Sequence, residues 1–168
     1  MHATPIVGSI GFTGTYTQVG GSPGNLASAT SMTINLPIGI GSTTDDFVGA
    51  NTPTFASPIG VNGNAPSLVG AQLWSVKVGL VTYTFTVLTS TQPFTSGIQL
   101  NLAGSGTLKD GIAADDTAGT WQLGFGVSGA SFTWQGTSAN QVPDGGMTVL
   151  LLGVALTGLF LIRKQVLA

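Results

Sequence analysis

From residue 5 to 140 the chain is written in short apolar alternations separated by Gly, Pro, Asn and Ser. Period-2 patterning marks strands with one buried face. The clearest run is Val81–Val87, where Val81, Tyr83, Phe85 and Val87 share one side and Thr82, Thr84 and Thr86 the other. Trp74, Val76 and Val78 repeat the pattern just before it, with Lys77 on the opposite face. The two runs meet at Gly79, which predicts a tight or bulged hairpin connection. Further strands are expected over residues 6–12, 29–36, 97–108, 120–127 and 130–136. In the last pair Trp121, Leu123, Phe125 and Val127 face Phe132 and Trp134 across a Ser128-Gly129 turn. Residues 45–48 and 68–73 are weaker strand candidates. Residues 51–67, with Pro53, Pro58, Pro66 and the Asn62-Gly63 turn signal, read as a long surface loop or strand-poor excursion. Before residue 141 no span carries a helical stripe. Seven to nine short strands with frequent turn signals predict an all-β fold, an antiparallel β-sandwich or jelly roll.

After Gln141 the text changes. Val142-Pro143-Asp144-Gly145-Gly146 breaks any strand, because proline cannot donate and two glycines add backbone freedom. An apolar run then starts at Met147 and stops at Ile162, interrupted only by Thr148, Gly153, Thr157 and Gly158. As a helix it spans about 24 Å, against about 30 Å of hydrocarbon core. Gly145 and Gly146 can lengthen it, and Arg163 and Lys164 can snorkel to the far interface. This predicts a single C-terminal transmembrane helix in contact with membrane lipid. The positive-inside rule puts Arg163 and Lys164 in the cytoplasm and the body outside. The chain thus divides into an extracytoplasmic domain (1–140), a linker (141–146) and a transmembrane segment with a basic end (147–168).

Composition sharpens this picture. Only 6 % of residues are charged, against roughly 25 % in an ordinary soluble domain. Neutral Gly, Ser, Thr and Asn replace them, which suits strands and turns rather than helices. Before residue 141 five aspartates stand against two lysines, a net charge of −3. That balance leaves no electrostatic footprint for nucleic acid. Cysteine is absent, so there is neither a disulfide framework nor a thiol metal site. The first residues show no basic and apolar leader. Either export uses no cleavable signal or the true start lies upstream, and the early strand pattern favours the second.

The tail resembles the PEP-CTERM sorting signal, in which a short Val-Pro-Asp/Glu motif precedes one apolar helix and a terminal basic cluster. Val142, Pro143, Asp144, Gly145 and Gly146 are most similar to its VPDSG-CTERM variant, with Gly145 in place of serine. The resemblance implies recognition by an exosortase, a membrane-embedded protease of Gram-negative bacteria. It also implies export, an inner-membrane intermediate and release to the cell surface or matrix, in association with exopolysaccharide and biofilm.

Catalytic chemistry is sparse. His2 is the only histidine, and no nucleophile elbow, P-loop or glutamate pair occurs. No enzyme activity and no cofactor are expected. Asp45, Asp46, Asp110, Asp115 and Asp116 are weak candidates for calcium, but they lack the regular spacing of a calcium loop and read better as turn-solvating residues. Trp74, Trp121 and Trp134 could stack on sugars, although each sits in a core-like alternation. Two functions remain: a structural or matrix protein of the cell surface, or a glycan-binding surface module on a plain membrane anchor. Wholly buried tryptophans would favour the first, and an exposed aromatic row the second.

Overall fold

The structure, a computed structural model, describes residues 5–63 and 68–127, and the backbone of 131–138. The sorting motif (142–146), the apolar run (147–162) and the basic pair Arg163 and Lys164 lie outside the described residues, as does the Ser128-Gly129 turn.

Ten strands occur among the described residues: β1 (Ser9–Val19), β2 (Ser31–Thr43), β3 (Asn51–Phe55), β4 (Ile59–Gly60), β5 (Gln72–Val78), β6 (Val81–Val87), β7 (Thr91–Thr95), β8 (Gln99–Lys109), β9 (Thr117–Gly126) and β10 (Ser131–Ser138). They are antiparallel throughout, and the remaining helical pieces are single 3₁₀ turns. The all-β, antiparallel expectation holds. The hydrogen-bonded order is β3-β5-β6-β8-β9-β10-β1-β2-β4, with β7 beside β8. First and last strands, β1 and β10, therefore pair in the middle of the sheet.

The sheet curls over its own apolar face. Phe12 of β1 meets Phe55 of β3 edge-on at 4.8 Å and Trp74 of β5 at 5.5 Å, although β1 and β5 are far apart along the ladder. Curling also brings the two ends of the sheet together. Only residues 56–58 separate β3 at one end from β4 at the other, and the Ile34 amide of β2 donates to Ser57 Oγ in that link. The enclosed core is one cluster running from Ile6 to Phe125. Trp74 stacks flat on Phe85, its cross-strand partner, and Phe47 closes against both Trp74 and Tyr83.

Several expected boundaries move. Residues 45–48 are not a strand: Asp45–Phe47 forms a 3₁₀ turn that drops Phe47 into the core. Residues 51–67 are a strand-poor excursion rather than a loop alone, since the short β3 and β4 lie within them. Pro53 is tolerated in β3 because that strand sits at an end of the sheet, where a missing amide breaks no ladder. Residues 68–71 turn, and strand structure starts at Gln72. β7, unanticipated because of Pro93, is likewise paired on one side only. At the Gly79-Leu80 hairpin tip Gly79 has φ +58, as a two-residue turn with glycine first requires.

Candidate functional site

The described residues fix where the tail leaves the body. β10 ends at Ser138, opposite Gly119 of β9, so the chain departs from the end of the sheet where β1 and β9 begin. The β8–β9 connection and the tip of the β5–β6 hairpin lie at this same end.

All seven Asp and Lys residues of the described body are gathered at this tail-bearing pole. Asp45 and Asp46 follow β2, beside the start of β1, where the Thr44 amide donates to the Ser9 carbonyl. Lys77 lies near the end of β5, and Lys109, Asp110, Asp115 and Asp116 surround the β8–β9 connection. The opposite pole, built from the β1–β2, β7–β8 and β9–β10 connections, carries none.

Three of the aspartates have local partners. Asp46 Oδ2 accepts from the Val7 amide at 2.7 Å, and Asp110 Oδ1 accepts from the Ile112 amide at 2.8 Å. Asp116 pairs with Lys109 at 3.5 Å on the surface, a contact worth little in open solvent. Thr117 Oγ1 donates to the Asp115 carbonyl and accepts from the Ile6 amide. Among the described residues no three His, Cys, Asp or Glu side chains group as a metal site. The aspartates still shape the local field: burial raises the Tyr83 pKa, and the carboxylates of Asp46 and Asp110 raise it further.

Trp74 and Trp121 are each 1 % exposed. Trp121 Nε1 donates to the Thr89 carbonyl at 3.3 Å. These two tryptophans are core residues, as the alternation predicts, while the side chain of Trp134 lies outside the described residues.

One groove of about 440 Å³ opens on the outer face of β8 and β9, with Pro93 of β7 on its rim. Gln99, Asn101 and Gln122 line it, and Gln99 Nε2 donates to Asn101 Oδ1 at 3.3 Å. Sequence reasoning missed it. Neutral amides on the polar side of an alternation look like ordinary solvated positions, and their convergence depends on the β8–β9 register.

Residues 141–166 match the model of the VPDSG-CTERM motif, an exosortase-type C-terminal sorting signal. No curated protein and no solved structure matches the chain. The signal implies an exported protein, anchored in the membrane or placed at the cell surface, that an exosortase processes.

Proposed function

We propose, starting from that signal, that the chain is a non-catalytic structural protein of the cell surface or extracellular matrix, delivered by its tail. On this reading the segment from Met147 to Ile162 spans the inner membrane, Arg163 and Lys164 stay in the cytoplasm, and the body folds outside as a sandwich-like curled sheet. The exosortase then acts at Val142–Gly146 and frees the body into a biofilm matrix rich in exopolysaccharide. The match over residues 141–166 carries the reading. The buried Trp74 and Trp121 support a structural rather than a glycan-binding body.

The groove favours a second reading, a glycan-binding module. Its amides can exchange hydrogen bonds with sugar hydroxyls, but its lining includes no aromatic ring on which a sugar could stack. The structural reading is therefore preferred.

Replacing Pro143 and Asp144 together by alanine tests the sorting step. The variant keeps the apolar run but loses the motif. It accumulates at full length in the inner membrane, while the parent appears outside without its tail. Fractionation with antibodies against the body and against the C-terminus distinguishes the two. If parent and variant keep the tail and fractionate alike, the segment is a plain anchor.

A further inference from the structure

The β5–β6 hairpin ends in an anomalous tip. Two-residue turns normally present Gly, Asn or Asp to water, whereas this one reads Val78-Gly79-Leu80-Val81. Leu80 is 95 % exposed, and Val81 beside it is exposed as well. Among the described residues almost nothing covers Leu80.

The tip points the way the tail runs. Register carries Ser138 across to Gly119, then Gly106, then Val87. β6 is antiparallel to β10, so its start projects in the direction in which the chain leaves. Leu80 lies seven residues past Val87, about 23 Å further along the strand. From Ser138 to Met147, where the apolar run begins, nine residues reach at most about 30 Å. The tip and the start of the apolar run can therefore stand at one level.

Charge fits the same level. Tyr83, which feels Asp46 and Asp110, pairs with Val76 three residues behind the tip. Thr84 pairs with Lys109, so Asp110 follows at the level of Tyr83, about 10 Å behind the tip, about one Debye length at 0.1 M salt. Lys77, exposed and paired with Thr82, stands between that level and the tip. Its long side chain can reach forward to lipid phosphate.

The geometry points to the Leu80 tip as a second membrane contact: in the anchored precursor it dips into the outer leaflet beside the tail, with Lys77 at the headgroups. The body is thereby held in one orientation while residues 139–146 stay between two fixed points. This rests on the reading of the tail as a membrane span.

The chain has no cysteine, so Leu80→Cys and Ile98→Cys each create a unique labelling site. Ile98 is 70 % exposed at the opposite pole, where the Val127 amide bonds its carbonyl. Each full-length variant is labelled with an environment-sensitive nitrobenzoxadiazole dye. Each is then reconstituted into phosphatidylethanolamine/phosphatidylglycerol vesicles with and without doxyl-labelled lipid. The expected result is flotation of both, with a blue shift and loss of emission at position 80 only. Flotation with no quenching at 80, or equal quenching at both positions, overturns the proposal. Self-quenching at 80 that grows with protein density also overturns it, because a second copy would then be the occupant. If neither variant floats, the membrane-span reading falls first and takes the proposal with it.

Discussion

At the scale of single residues, two glycines on β8 show how closely the sheet is curled. Gly104 and Gly106 occupy inward positions between Leu102 and Leu108. A Cβ on Gly104 would strike the Thr89 carbonyl and come within 2.8 Å of Trp121 Nε1. On Gly106 it would strike the Thr86 carbonyl and the Phe85 ring. Gly126, on β9, has nothing within 4 Å of the same position. Gly104→Ala should thus lower the unfolding free energy by about 3 kcal/mol, as overpacking against backbone does. Gly126→Ala should change it by no more than about 0.5 kcal/mol. Urea unfolding of both variants checks the contrast, and equal effects would show that the β6–β7 crossing yields easily. Asn62 is a second such residue. Its side chain donates to the Leu26 and Ala29 carbonyls and accepts from Gln92, joining segments about thirty residues apart. The Asn62-Gly63 turn was legible from the dipeptide, and Asn62 does take a positive φ. Its bonding role was not legible, because nothing local specifies partners so distant.

Among elements, the strands with strong alternation were legible and those with proline were not. β5, β6, β8, β9 and β10 lie close to the residues expected for them, because Trp74, Phe85, Leu100, Leu102, Trp121, Leu123 and Phe125 all face the core. β1 and β2 run longer than expected, since Tyr16 and Ile38 keep contributing to the core past the expected ends. β3 and β7 hide behind Pro53 and Pro93, and β7 is held partly by side chains, with Thr91 Oγ1 donating to the Ala103 carbonyl. Tyr16 ties β1 to β9 across β10: its hydroxyl donates to the Gly126 carbonyl at 3.1 Å, and its ring meets Phe125 edge-on. Burial raises its pKa above the ordinary 10.0. The fold therefore favours neutral Tyr16, and this contribution is complete below pH 10.0 and lost as pH rises toward the higher folded value. Stability should stay level up to pH 10.0 and fall above it. Tyr16→Phe should begin about 1 kcal/mol lower and fall less steeply, with Tyr83 supplying part of the remaining slope. Denaturant unfolding from neutral to strongly alkaline pH measures both curves, and parallel curves would remove Tyr16 from the account.

For the molecule as a whole, a linear sequence conceals the segregation of charge. Asp46 and Asp110 are remote in sequence yet act together on Tyr83, and the antiparallel register places every Asp and Lys of the described body at the tail-bearing pole. The tail itself was legible because its signal is local: a motif, an apolar run and a basic end in fixed order. The pairing of β1 with β10 carries a consequence in time. A chain crossing a membrane from its N-terminus delivers β1 before β10, and although β2 soon pairs with one side of β1, its other side must wait until residue 138 has passed. The sorting signal, which starts at residue 141, follows at once. Completion of the sheet and arrival of the sorting signal are thus nearly simultaneous, so a membrane enzyme waiting for the signal meets a body that has only just become able to fold. A chain ending at residue 126 should show the dependence: lacking β10, it leaves β1 and β9 unpaired along their facing edges. It should be recovered as aggregate, where the chain ending at residue 140 is soluble with a β-type circular dichroism spectrum. Equal solubility of the two would mean that the earlier strands close without their last member, and that emergence sets no clock.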